Sequence, residues 1–418
     1  MTLRVSPDGG VAASQLAVDR ALAWYGQEVG AAKSPPVPAD RFRQLREALA
    51  GGAAWRHELF DDLMMFGQAM HRLAGQAPDC NVGDLLIVLG QRLGPLPAWS
   101  CDTAVDTEAF AKLGFRETSL GISGAQRENR EGWWSHGQKN RAFIEQTAAA
   151  GSGRKLAIAL GAGRAFDLPL VELARSFERL VLVDIDGAAL DETVAGAFKD
   201  AALRARVETR VVDLTGINGT LVRRLDEILT GPGTAAEVEE RVEALCRSYR
   251  LDTPPRFLPP GERADLLAAS CLLTQLAWPQ RTYAERLFEQ RFGQMNATTE
   301  SRWSTAWAEL GLRIQQDHIH ALAGTADRIA LTSDVVSYPT TLDAGGAERP
   351  TGRKILPLGV QTLAERIPKM FRIGRQGSWK WNRYKPVRRA REGSQMDVDG
   401  VELQEPVTAA GLWLPPGS

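Results

Sequence analysis

Apolar residues recur every three or four positions through much of the first 150 residues, the spacing that lays one apolar stripe along a helix. VAASQLAVDRALAWYGQEV, ADRFRQLREALA and WRHELFDDLMMFGQAMHRLAG carry it most clearly. Pro35-Pro36, Gly51-Gly52 and the stretch GPLPAWSCD mark the turns between them. One more helix is predicted over residues 126–149, QRENREGWWSHGQKNRAFIEQTAA, leading directly into the next region.

From Gly153 the pattern changes to short apolar runs separated by helical stretches: KLAIALGAG, ERLVLVDID, VETRVVDLTG, ADLLAASCLL and DRIALTSDVV. Strands alternating with helices form a parallel sheet through right-handed crossovers. Near the end, GSWKWNRYKP and MDVDGVELQEP alternate polar and apolar residues around a loop, as an antiparallel hairpin does. The expected fold is therefore α/β: a Rossmann-like, doubly wound, mostly parallel sheet with a terminal antiparallel hairpin, behind an all-helical N-terminal region. Residues 1–125 form that helical domain or lid, and residues 126–418 form the ligand-binding domain. Within the latter, 214–264 reads as a helical insertion and 376–418 as the C-terminal hairpin.

Composition narrows the function classes. With 44% hydrophobic and 24% charged residues the chain is an ordinary globular protein, and 50 Lys plus Arg against 51 Asp plus Glu argue against nucleic acid as a partner. The cationic stretch from Lys369 to Arg391 coincides with the predicted hairpin and reads as a solubilising edge. Cys80, Cys101, Cys246 and Cys271 lie far apart without a CxxC pair. Asp317-His318-Ile319-His320 has no further ligand nearby and precedes the fifth strand, so no metal site or disulfide framework is expected. The N-terminus lacks an apolar signal core and no apolar run is long enough for a membrane span, so the expected location is cytoplasmic.

The first strand ends at Gly161-Ala162-Gly163, where missing side chains let a ligand approach the backbone. A GxG turn alone also occurs merely to pack a helix on a strand. Roughly twenty residues later the second strand ends in Asp184-Ile185-Asp186, where Asp184 suits ribose hydroxyls and Asp186 suits a helix cap. Asp213 ends the third strand. Acids and glycines on three successive strand ends make a nucleoside-shaped constellation at the carboxyl edge of the sheet.

LGAGRAFDLPL, LVLVDID, VVDLTG, ADLLAASCLLTQL and RIALTSDVV together resemble the successive motifs of class I S-adenosylmethionine (SAM)-dependent methyltransferases, over about two thirds of the chain. The resemblance implies SAM as cofactor, contacted by Gly161, Ala162, Gly163, Arg164, Asp184, Ile185, Asp213, Leu214 and Ser270. The chain departs from it at Ala159, where many members carry an acid two positions before the first glycine, so the SAM amino group needs another partner. Phe166 replaces the third glycine of a dinucleotide fingerprint, which counts against a nicotinamide enzyme. Arg164 and Asp167 follow the turn as candidates for the charged methionine end.

Methyl transfer is an in-line displacement, so positioning outweighs acid–base chemistry and catalytic residues are hard to read. Gln275 and Asp334, at the ends of strands four and five, are the candidates for catalysis, with His136 as a possible base; Ser270, Thr274 and Tyr338 share those strand ends. Trp133, Trp134, Lys139, Arg141 and Tyr338 are candidate substrate contacts, the first four on a helix expected to close over the cofactor as a lid. The expected acceptor is a small molecule or modified peptide, of the kind met in natural product biosynthesis, with N- or O-methylation and a possible homodimer through the N-terminal helices. Three alternatives stay open: transfer of another SAM-derived group, an NAD(P)-dependent oxidoreductase, and a non-catalytic SAM-binding scaffold.

Overall fold

Strand β1, Leu156–Leu160, is buried at every position. Its alternate residues serve two separate apolar layers: Leu156, Ile158 and Leu160 join one, Ala157 and Ala159 the other. Strand β2, Arg179–Asp184, divides in the same way, with Val181 and Val183 opposite Leu180 and Leu182. A strand covered on both faces has no polar side to show, which is why these runs read as continuous apolar segments.

The computed structural model describes residues 17–29, 39–49, 66, 99–259, 261–342, 348–352, 354–355, 362–384 and 393–404. With β3 (Val207–Val211), β4 (Ala264–Ser270) and β5 (Ala326–Leu342), the first two strands form a parallel sheet in the order β3-β2-β1-β4-β5. β5 then runs on beyond its parallel neighbour and pairs with the short β6 (Glu348–Pro350) and β7 (Lys354–Ile355). Beyond it come β8 (Arg372–Tyr384) and β9 (Gly393–Gln404), with β9 antiparallel to both β5 and β8. The fold is thus mixed α/β with a mostly parallel central sheet and a terminal antiparallel hairpin, as the sequence pattern predicts.

Two compact units divide the chain, Met1–Pro97 and Ala98–Ser418. In the first, residues 17–24 are helical and lead into a π-helical turn, Tyr25–Val29, and Ala39–Leu49 is α-helical. Tyr25, Phe42 and Phe66 pack ring against ring there, with centroids 4.5 to 5.8 Å apart. Apart from Phe66, the predicted helix WRHELFDDLMMFGQAMHRLAG lies outside the described residues, as do the Pro35-Pro36 and Gly51-Gly52 turns. The second unit opens with α1 (Thr107–Lys112) and α2 (Phe115–Glu128), so the division expected after residue 125 falls inside α2. α3 (Arg130–Ala150) starts afresh at Asn129, whose side chain caps it by accepting the Gly132 amide.

α3 packs into the core along one face. Phe143 and Ile144 are buried against Ala157, Ala159, Ala268 and Ala330, small residues that let the helix approach the sheet closely. Phe143 also seats in a glycine window: Gly377 and Gly400 pair across β8 and β9, and a Cβ on Gly400 would stand 3.1 Å from the ring. α4 (Leu170–Ser176) and α5 (Gly187–Ala197) follow β1 and β2. The opposite face carries α6 (Asn218–Thr230) and α7 (Ala235–Arg247), which occupy the predicted insertion, then α8 (Trp278–Phe292) and the long α9 (Ala297–Ala321). A reciprocal Thr234–Glu237 capping box starts α7. Among the described residues, no helix is long and apolar enough to cross a membrane.

If α3 completes the core, Phe143→Ala lowers stability by about 3–5 kcal/mol in urea unfolding. A loss below about 1 kcal/mol, the scale of a surface substitution, contradicts that role.

Candidate functional site

β1 and β4 are adjacent, yet the chain leaves β1 toward β2 and leaves β4 toward β5. Strand order reverses between them, and a crevice opens outside their carboxyl ends. A pocket lies there, walled by the Gly161–Asp167 turn, Asp184–Asp186, Asp213–Thr215 and Ser270–Leu272. Phe115, Ser119 and Ile122 of α2, Trp133 of α3, and Trp278, Asp334 and Trp381 also line it.

The glycine turn is shaped by strain and by one carboxylate. Gly161 has φ +64°, and a Cβ there would stand 3.0 Å from the Leu272 side chain, so both backbone and space select glycine. The Gly163 amide donates to Asp184 Oδ2 at 2.8 Å, and the Asp186 amide donates to Oδ1 at 2.8 Å. Asp184 therefore closes the turns after β1 and β2 together. Burial pushes its carboxyl up to about 6, against the pull of the backbone donors of Asp186 and Gly163. Asp186 caps α5 through the Ala189 amide and faces Arg116 at 3.4 Å.

Asp213 lines the pocket but serves its own loop first. Its Oδ1 accepts from the Thr215 amide, Thr215 Oγ1 and Asn218 Nδ2, and Oδ2 accepts from the Asn218 amide, all within 2.7 to 2.9 Å. Burial raises its pKa, opposed by those bonds. His318, on α9, has Nδ1 3.4 Å from the Leu214 carbonyl. His318, considered from sequence only as a metal ligand and discounted, thus braces the same loop.

At the β4 end, Ser270 donates its hydroxyl to Asp167 Oδ2 and accepts from Asn140 Nδ2 at 2.9 Å. Asn140 also donates to the Asp167 carbonyl at 3.0 Å. His136, 1% exposed, lies behind this wall, stacked on Trp381 with centroids 4.1 Å apart. Trp379 Nε1 donates to His136 Nδ1 at 3.1 Å; an indole N–H only donates, so the ring proton sits on Nε2. Nε2 stands 3.7 Å from Asp167 Oδ2 and 4.0 Å from Cys271 Sγ. Burial works to raise the Asp167 pKa, but the interactions with His136 and Ser270 outweigh it and hold the carboxyl below its ordinary value.

His136, Asp167 and Cys271 place three potential ligand atoms within 4.8 Å of one another. A metal on Nε2 would compete with the proton that Trp379 places there, and burial holds the Cys271 thiol well above its ordinary pKa. The arrangement suits a hydrogen-bonded carboxylate better than a cation.

The remaining predicted site residues separate by geometry. Gly161, Ala162, Gly163, Arg164, Asp184, Ile185, Asp213, Leu214, Ser270, Gln275, Asp334 and Trp133 all line the crevice. Gln275 donates to the Cys271 carbonyl at 2.7 Å, and Asp334 is buried, with Thr274 donating to Oδ2 at 3.4 Å. Arg164 pairs with Glu192 at 2.7 Å. Trp134 is 63% exposed under the Arg141 guanidinium and, with Arg141, borders a shallower cleft on the outer side of the turn. Lys139 is exposed on the same helix. Helical phase explains the split: the buried stripe of α3 runs through Trp133, His136, Asn140 and Phe143, and the other three fall off it. Tyr338 lies beyond the crevice on the extension of β5, donating to Asp397 Oδ2 at 2.7 Å.

No protein-family model matches the chain, and no curated protein matches it. Solved structures overlap only loosely. A putative RNA methyltransferase from Pyrococcus horikoshii is 11% identical over 65% of this chain and 85% of its own, with a TM-score of 0.29. The glycopeptide N-methyltransferase MtfA complexed with sinefungin gives 11%, 65%, 87% and 0.28. The CcbJ methyltransferase from Streptomyces caelestis gives 10%, 65%, 95% and 0.28. Overlaps this loose carry no argument, and the site stands on its own geometry.

Because Asp184 holds its proton to a higher pH when folded than when unfolded, its contribution to stability is full below about 4 and is lost as pH rises through about 6. Asp317 is also raised to about 6 and is common to both proteins, so it cancels in a comparison of wild type with Asp184→Asn. Urea unfolding at pH 4 and pH 7 should show the wild-type stability, relative to that variant, falling across the interval. A difference that is constant with pH contradicts the assignment.

Proposed function

We propose that the crevice binds SAM and that the chain transfers its methyl group to a small molecule or modified peptide, by N- or O-methylation. The supporting observation is the sign of the lining. Asp167, Asp184, Asp186, Asp213 and Asp334 face the crevice, and Arg164, its one basic lining residue among the described residues, is paired with Glu192. A ligand carrying sulfonium and ammonium charges suits such walls; a dinucleotide pyrophosphate does not. The Gly163 amide is given to Asp184, and six residues separate Gly163 from the start of α4, so the turn does not present a helix N-terminus to a pyrophosphate. Both points weigh against the nicotinamide reading.

In this reading the nucleoside lies across the ends of β3 and β2, with Asp184 toward the ribose and the Asp213–Leu214 loop toward the base. When bound, SAM supplies an electrophilic methyl carbon whose bond to sulfur breaks, with the electron pair, as the acceptor's lone pair attacks. The chain's own contribution is to hold the acceptor in line and keep water out. Phe115, Ile122, Trp133, Trp278 and Trp381 form an apolar wall for this purpose. Gln275 and Asp334 orient the acceptor, and Asp334 accepts the proton that the acceptor atom releases. His136 acts through Asp167 and is a positioning residue rather than the base.

Calorimetry at neutral pH should show S-adenosylhomocysteine binding in the micromolar range and NADH not binding. Asp184→Ala, with its fold intact, should weaken S-adenosylhomocysteine more than tenfold, the loss of roughly 1.5–3 kcal/mol expected for hydrogen bonds to a charged group. No binding of S-adenosylhomocysteine at high micromolar concentration, or preferential binding of NADH, overturns the proposal.

A further inference from the structure

Resting on the SAM reading above, we infer that Asp167 is the anionic anchor for the cofactor's ammonium group, taking over from the strand position that Ala159 occupies. The sheet order gives the direction. If adenine and ribose lie over β3 and β2, the amino-acid end runs toward the ends of β1 and β4, where Asp167 and Ser270 meet.

Ala159 has no room for an acid. It is 0% exposed on the side of β1 that faces α3, within the layer that buries Phe143 and Ile144. A carboxylate there would be buried among apolar groups without a partner. The same helix that fills this space carries Asn140 and His136 one and two turns earlier, and these act on Asp167 instead. Asn140 fixes the Asp167 backbone and orients Ser270; Ser270 holds Oδ2; His136, oriented by Trp379, directs its Nε2–H toward the same oxygen.

The Ser270 hydrogen bond and the approach of His136 Nε2 both fall on Oδ2, and the side chain is 22% exposed in the crevice. Oδ1 is the second oxygen of a carboxylate already fixed in place by these two contacts. Of the other acids, Asp334 serves the acceptor in the reading above, and three hold their own turns. Asp184 accepts two turn amides, Asp213 accepts four bonds from its own loop, and Asp186 caps α5. An ammonium ion, with three donors in a compact head, matches a lone carboxylate oxygen beside the Ser270 hydroxyl.

Two ligands separate this role from a structural one. S-adenosylhomocysteine carries the ammonium, whereas 5′-methylthioadenosine keeps the nucleoside and sulfur and lacks it. Titrations of wild type and Asp167→Asn with both should show the variant weakening S-adenosylhomocysteine at least tenfold and changing 5′-methylthioadenosine less than twofold. Ser270→Ala, which frees Oδ2 but keeps the charge, should lose less than Asp167→Asn, again only for S-adenosylhomocysteine. Unchanged S-adenosylhomocysteine affinity in Asp167→Asn, or equal loss for both ligands, overturns the anchor assignment. Failure of the wild type to bind either ligand instead overturns the SAM reading on which it rests.

Discussion

Parallel strands end with their last backbone groups facing an open edge, and in this chain carboxylates organise that edge. Asp184 is the pivotal case: by accepting the Gly163 and Asp186 amides it joins the turn after β1 to the turn after β2. Asp213 gathers the loop after β3, and Asp167 meets Ser270 at the end of β4. Each acid secures a turn while standing in the wall of one crevice. The negative lining is therefore a consequence of how the sheet is closed, and it is the feature on which the proposed binding of a positively charged ligand rests.

The second constraint is the close approach of α3. Alanines at 157, 159, 268 and 330 make a shallow face on the sheet, and Phe143 reaches across it to the Gly377–Gly400 window in the hairpin. Packing this tight fixes the helix in rotation, so His136 and Asn140 arrive at the back of the Asp167 turn and Trp133 arrives in the crevice. Trp379 and Trp381, from the hairpin, then hold His136 by a hydrogen bond and a stacked ring. Core packing and site geometry are one arrangement here. The helix expected to close over a ligand packs on the sheet and positions the wall of the crevice.

Much of this was legible from sequence because parallel strands and their terminal acids leave local signals. LAIAL and LVLV are apolar on both faces, and Gly161, Asp184 and Asp213 sit where those runs stop. What the sequence does not show depends on long-range geometry. Asn140 is a polar residue within an apolar stripe, a signal that helical phase would have exposed; the same phase separates Trp133 and His136 from Trp134, Lys139 and Arg141. Phe115, Ser119 and Ile122 line the crevice from α2, a helix that the sequence reading did not connect with the site. Tyr338 was placed by assuming that β5 ends with its parallel partner. Antiparallel pairing with β9 and then β6 carries the strand on to Leu342 and takes Tyr338 out of reach.

A crystal structure with S-adenosylhomocysteine bound tests the central claim most directly, because it shows where charge and nucleoside lie together. The ribose hydroxyls are expected on Asp184, the ammonium on Asp167, and the sulfur facing the side of the crevice lined by Trp133 and Asp334. A nucleoside bound away from the ends of β1 to β4, or an empty crevice in crystals grown at saturating ligand, would contradict it.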